Sequence, residues 1–130
     1  MKKKYLIKKN KEYRYIYSRG ISLANPYMAL YQYKNNLNYK RFGFSISKKI
    51  GKAVRRNFIR RRFKALCQIN EHLFADGYDY VLIARKGIIN VSFAELAQSL
   101  VKLTCRISSR KGKEKKNTFK KRNNRKKELP

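Results

Sequence analysis

Nine basic side chains crowd the stretch from Lys48 to Lys64: Lys48, Lys49, Lys52, Arg55, Arg56, Arg60, Arg61, Arg62 and Lys64, with no acid among them. On a helix, cations at i, i+3 and i+4 repel one another, so this segment is weak in isolation. An apolar face packed on the rest of the chain offsets that repulsion. A polyanion laid over the other face offsets it further. Arg56, Arg60 and Lys64 recur at four-residue spacing, with Asn57 and Arg61 beside them. Ile59, Phe63, Leu66 and Leu73 form a separate apolar stripe. Arg55 and Arg62 fall near the apolar edge, where their stems can cover the core while the heads reach water or phosphate. The chemistry on offer is phosphate binding by planar guanidinium forks and ammonium point charges. A merely solvated helix usually mixes both signs of charge.

Aromatic rings supply the second chemistry. Tyr13 and Tyr17 flank Ile16 at helical spacing, and Tyr27, Ala29, Tyr31 and Tyr33 alternate along a strand. Such rows pack in cores, and they also stack unpaired bases. Tyrosine suits a half-open face, because its hydroxyl needs water or a partner.

Hydrolytic chemistry is not legible. The seven acids, Glu12, Glu71, Asp76, Asp79, Glu95, Glu114 and Glu128, are scattered. Asp76 and Asp79 come nearest to a pair, and a turn explains Asp76. No phosphate-binding loop, nucleophile motif or cofactor loop is present. The single histidine, His72, reads as a cap late in the central helix rather than a catalyst. Cys67 and Cys105 lack partners at metal-ligand spacing and read as small buried or half-buried apolar residues in a reducing compartment. No cofactor and no metal site is expected in the polypeptide.

These groups need elements to hold them. Asn10 is placed to cap a helix from Lys11 to about Arg19, ended by Gly20 in the left-handed conformation. Asn25-Pro26 breaks the chain before the strand Tyr27–Tyr33. A turn at Lys34–Asn38 and a strand from Tyr39 to Ser47 complete an antiparallel hairpin. The central basic helix follows. Tyr78–Ala84 is a short apolar strand, interior to the sheet. Ser92 and Glu95 form a capping box, with Val91 and Leu96 as a staple, for a last helix facing inward through Leu96, Leu100, Leu103 and Ile107. The order is that of one α+β domain with one sheet. Residues 1–7 read as a mobile basic arm, 8–109 as the folded domain and 110–130 as a disordered basic tail.

The chain has 130 residues and a formal net charge of +28, which favours a polyanionic partner. No apolar run approaches the ~20 residues of a spanning helix, and the N-terminus lacks a signal-type apolar segment. A cytoplasmic protein without a membrane partner is expected.

The order strand, Ser47-Lys48-Lys49, Ile50-Gly51-Lys52-Ala53-Val54, then Arg56-Asn57 and Arg60-Arg61 resembles the protein component of bacterial ribonuclease P. Phe58 stands where that family's Arg-Asn-Arg signature has its second arginine. The resemblance spans about Tyr5 to Ser109. It implies an α-β-β-β-α-β-α fold with one mixed four-stranded sheet and a left-handed β-α-β crossover, against the usual rule. It also implies a subunit that binds a catalytic RNA and the 5′ leader of precursor tRNA, while that RNA holds Mg²⁺ and cuts. Arg56, Asn57, Arg60, Arg61 and Lys64, extended by Lys48, Lys49 and Lys52, are then the contacts to the catalytic RNA. Tyr13, Tyr17 and Tyr31, with Ser47 and Lys48, line a leader cleft between the central helix and the sheet. No obligate protein partner is expected. The alternatives are a structural RNA-binding protein of the ribosomal type and a basic DNA-compacting protein. Neither requires the Ser-Lys-Lys to Arg-Asn-x-x-Arg-Arg run.

Overall fold

The structure, a computed structural model, describes residues 1–114. Its elements run α1 (Asn10–Arg19), β1 (Ile21–Ala24), β2 (Met28–Lys34), β3 (Arg41–Ser45), α2 (Ala53–Ile69), β4 (Tyr78–Ala84) and α3 (Phe93–Glu114). The expected α-β-β-β-α-β-α order is therefore present. Short 3-10 turns at Lys3–Tyr5, Lys48–Ile50, Glu71–Leu73 and Lys86–Ile88 link them.

The strand order is β1-β2-β4-β3. Strands β1 and β2 form an antiparallel hairpin, and β2 pairs antiparallel with β4. Strand β3 lies parallel to β4, so α2 is a crossover. This corrects the hairpin expected between residues 27–33 and 39–47. A strand as apolar as Tyr78–Ala84 needs neighbours on both sides, and it takes β2 and β3 as those neighbours. The turn-like sequence after Lys34 instead carries the chain past the end of β4, where Asn35 N–H bonds Gly77 C=O at 2.9 Å. Strand β1 escapes pattern reading because all four of its residues are buried, leaving no alternation to see.

The two faces of the sheet differ. Leu23, Met28, Leu30, Phe42, Tyr80 and Leu82 join Ile59, Phe63, Leu66 and Cys67 of α2 and Leu96, Leu100, Leu103 and Ile107 of α3 in the main core. The inward row of α3 is as the sequence indicates, and Glu95 N–H bonds Ser92 Oγ at 3.1 Å. The other face carries α1 alone, through a small cluster of Ile7, Ile16 and Val81 with Tyr13, Tyr31, Tyr33 and Ile83 packed on it. Tyr27 precedes β2 and packs with the main core, not with Tyr31 and Tyr33.

Several local expectations change. Asn10 is the first helical residue of α1 and Lys9 its N-cap, with no side-chain cap bond. Gly20 has φ −76°, so it is not left-handed. Its lack of a side chain serves close approach, because a β-carbon there would lie 2.6 Å from Ile16 O and 2.8 Å from Gln32 O. Residues 1–7 dock: Ile7 N–H bonds Phe42 O at 2.8 Å, and the Ile7 side chain is buried. Helix α3 runs past Ser109 to Glu114, and the remainder of the expected tail lies outside the described residues. His72 and Leu73 lie in a 3-10 turn after α2 rather than in it, and Cys105 is exposed.

Candidate nucleic-acid interface

Helix α1 is held over its face of the sheet by three anchors. Ile16 is buried beneath it. Arg41 on β3 donates to Asp79 through Nε at 2.9 Å and Nη2 at 2.6 Å, while its Nη1 lies 3.0 Å from Glu12 of α1. Tyr13 donates its hydroxyl to Ile7 O at 3.2 Å, joining helix to N-terminal segment. Arg41 is also the registered partner of Asp79 across β3 and β4, so the bidentate pair is a cross-strand contact. Hydrogen bonding to Asp79 comes first among the effects that push the Arg41 pKa above its ordinary value.

Beside these anchors the rings of Tyr13, Tyr17 and Tyr31 meet. The Tyr13 and Tyr17 centroids are 6.2 Å apart, and Tyr17 packs edge-on against Tyr31 at 5.2 Å. Tyr13 and Tyr17 border an open groove of about 520 Å³ lined by Asn10, Tyr13, Arg14, Tyr17, Phe44 and Ser45; Tyr31 backs Tyr17 from outside that lining. The α1 residues Asn10, Tyr13, Arg14 and Tyr17 fall at i, i+3, i+4 and i+7, one helical face. Burial raises the Tyr13 pKa, and the neighbouring Tyr17 raises it further. Burial likewise raises that of Tyr17, opposed by a hydrogen bond with Ser45. Both phenols therefore stay neutral at physiological pH, and the groove's lining carries no carboxylate. Nothing in that lining repels phosphate.

The rings occupy the α1 side of the sheet, opposite the side on which α2 buries Ile59 and Phe63. A cleft between central helix and sheet is thus corrected to a groove between α1 and β3. The positive charge of Arg60 on α2 acts in the opposite sense to burial, lowering the Tyr13 pKa. Ser47 and Lys48 follow β3, exposed, outside the groove's lining. Asn10 was read from the sequence only as a helix cap, and Arg14, Phe44 and Ser45 were not assigned to a site. Helical spacing from Tyr13 could have found Asn10 and Arg14, and same-face spacing from Gly43 could have found Ser45.

The basic run divides by flank. Lys48, Lys49, Lys52, Asn57 and Arg61 are exposed, while Arg56, Arg60 and Lys64 are half-buried. Asn57 Oδ1 accepts from Arg60 Nη1 at 2.9 Å, which fixes the direction of that guanidinium. The Arg56 Nε is enclosed without a hydrogen-bond partner among the described residues. Arg62 does not reach solvent as a free head: its Nη1 donates to Val91 O at 2.8 Å.

Four of the described carboxylates are engaged elsewhere. Glu12 and Asp79 hold Arg41, while Glu71 and Asp76 hold the buried Lys40 at 3.0 and 3.3 Å. Burial works against the Lys40 charge, but these two acids outweigh it and raise its pKa. Among the described residues no cluster of three or more His, Cys, Asp or Glu could hold a metal ion. No helix among them is long and apolar enough to cross a membrane. The arrangement can hold phosphates and stack bases, and it presents no paired acid and base.

Known proteins give a consistent match. The family model described as Ribonuclease P matches residues 1–108. The ribonuclease P protein component of Desulforamulus reducens is 43% identical over 100 residues, covering 77% of this chain and 88% of that protein. The Staphylococcus aureus RNase P protein structure is 32% identical with a TM-score of 0.71, over 76% of this chain and 91% of that one. The Thermotoga maritima RNase P protein structure is 30% identical with a TM-score of 0.72, over 77% and 94%.

Proposed function

The chain belongs to the ribonuclease P protein family, the protein component of the ribonucleoprotein endonuclease that matures tRNA 5′ ends, and we propose that it works there by positioning RNA rather than by cutting it. Family membership decides against the ribosomal-type and DNA-compacting alternatives. The cations Arg56, Arg60, Arg61 and Lys64, with Asn57 aligning Arg60, hold phosphates of the catalytic RNA. Lys48, Lys49 and Lys52 extend that surface. The groove under α1 takes the single-stranded 5′ leader, with leader bases stacked on Tyr13, Tyr17 and Tyr31. Ser47 and Lys48 meet the leader's backbone as it leaves β3.

The observation that carries this reading is the trio of contacting tyrosine rings beside an open, carboxylate-free groove. Stacking contributes about 1–3 kcal/mol per base and makes little sequence demand. A protein that serves many precursors needs that tolerance. Magnesium belongs to the RNA in this reading, since the described side chains offer no suitable donor set. A hydrolytic protein would need a positioned base and acid, and the described acids are committed to Arg41 and Lys40 or stand apart. The site of action is the cytoplasm, without an obligate protein partner.

Cleavage of a precursor tRNA by a bacterial ribonuclease P RNA at low magnesium, with and without the chain, tests the reading. Acceleration by the chain, and no cleavage by the chain alone, is expected. Cleavage by RNA-free protein, or no acceleration, contradicts it.

A further inference from the structure

Helix α2 has a second flank that the phosphate-binding reading does not use. Phe58 is 51% exposed although it is aromatic, and Val54, one turn earlier, is 82% exposed. The guanidinium of Arg62 lies over the Phe58 ring at 4.5 Å from its centroid and over Phe93 at 5.8 Å. The same guanidinium is tied to Val91 O. Arg62 is thus a flat cation fixed between two rings and a carbonyl. Beside it opens a groove of about 400 Å³ between α2 and the loop before α3. Ile59 and Ile88 are buried beneath, Arg55 and Phe58 stand on one side, and Asn90 on the other. Asn90 holds a left-handed backbone with φ 71°. Its short polar side chain tolerates that conformation better than most residues do. No carboxylate lines the groove.

An exposed ring and an exposed valine on a helix this basic are not explained by solvation. A protein partner would have to bring acidic groups to a flank that is apolar at its centre. A nucleotide meets both demands, because its base is a flat apolar face and its phosphate an anion. The groove under α1 is a different place, on the other face of the sheet.

We propose that Phe58 and the fixed Arg62 guanidinium form a stacking platform for one unpaired base of the catalytic RNA, with Arg55 beside its phosphate. The proposal rests on the positioning function given above and adds a contact of a different kind. The family's signature places a cation at this position. This chain replaces charge with a ring, so the RNA contact there becomes apolar and nearly salt-independent. Arg62 acts as a positioning residue for Phe58, and Asn90 lines the same groove.

Salt dependence separates a stacked ring from an ion contact. The probe is an unmodified bacterial ribonuclease P RNA transcript, titrated with the full chain over a series of salt concentrations. Phe58→Ala is expected to weaken binding by about 5- to 150-fold, leaving the slope of log affinity against log salt unchanged. Phe58→Trp should keep wild-type affinity. Phe58→Arg should steepen the slope by about 0.7–0.9, and Arg60→Ala should flatten it by a similar amount. Since Phe58 is half exposed, the variants should keep the wild-type melting curve. Should Ala bind as tightly as Phe, or lose affinity together with slope, the platform is overturned. Loss in Phe58→Trp equal to that in Phe58→Ala overturns it too. If wild-type chain shows no salt-dependent binding at all, the positioning function fails first and takes the platform with it.

Discussion

Tyr13 occupies the space that a side chain on Gly43 would need: a β-carbon there would lie 2.7 Å from the phenol oxygen and 2.8 Å from the nearest ring carbon. The glycine in Phe42-Gly43-Phe44 is therefore what lets an aromatic ring of α1 lie down on β3. Its neighbours Phe42 and Phe44 point to the opposite face and into the main core. One strand thus serves packing on one side and an open groove on the other.

Gly43→Ala follows directly. The added methyl must push Tyr13 aside, and overpacking of this kind costs about 1–3 kcal/mol. A urea titration should show that loss with an unchanged slope. Affinity of the assembled ribonucleoprotein for precursor tRNA should fall, because the ring is displaced from the groove. Wild-type affinity with wild-type stability would show that the ring does not need its present seat.

Tyr17 separates ring from hydroxyl. Its ring packs on Tyr31, and its interaction with Ser45 lowers the pKa of its phenol. Tyr17→Ala should reduce precursor affinity by about 1–3 kcal/mol, whereas Tyr17→Phe should retain most of it. Equal loss in both would assign the effect to the hydroxyl. Binding titrations of the two variants in the assembled ribonucleoprotein make the comparison.

Asp79 is 3% exposed and answers Arg41 through two hydrogen bonds. Removing one partner of a buried pair leaves the other uncompensated, at about 3–5 kcal/mol. Glu12 remains near Arg41 and should hold Asp79→Ala at the lower end, near ~3 kcal/mol. Because Arg41 also joins α1 to the sheet, the variant should loosen the groove. Denaturant midpoints measure the first effect, and amide exchange across Asn10–Arg19 the second.

The two cysteines should react unequally. Burial raises the Cys67 pKa, so the thiolate is scarcer there than in the unfolded chain, and reagent cannot reach it. Cys105 is exposed. At about pH 8.5, near an ordinary thiol pKa, iodoacetamide should add once to native protein and twice in denaturant. Mass spectrometry reads the count, and rapid double addition to the native chain would contradict the buried assignment.

Much of this was legible before any coordinates. The basic run, its apolar stripe through Ile59, Phe63 and Leu66, and the inward row of α3 all follow from helical periodicity. Tyr13, Tyr17 and Tyr31 were singled out as rings, and they meet. What periodicity could not supply was the neighbour of each strand. A local turn after Lys34 suggested a hairpin, but strand pairing is set by burial across the whole sheet, and β4 claims both flanks. Nor could it say which side of the sheet carries α1, so the groove was assigned to the wrong helix. Gly20 does end the helix, as its C-cap, but it serves by close backbone approach and not by a left-handed turn. The segment through Ile7 looked like a free arm because its anchors, Tyr5, Leu6 and Ile7, are a short run between lysines.

The most direct test compares precursor with mature tRNA binding to the complete ribonucleoprotein, assembled with wild-type chain or with Tyr13→Ala. If the tyrosine groove holds the leader, the variant weakens precursor binding and leaves mature tRNA binding unchanged, and the difference vanishes as the leader is shortened to nothing. Equal weakening for both RNAs, or a loss that ignores leader length, would contradict it.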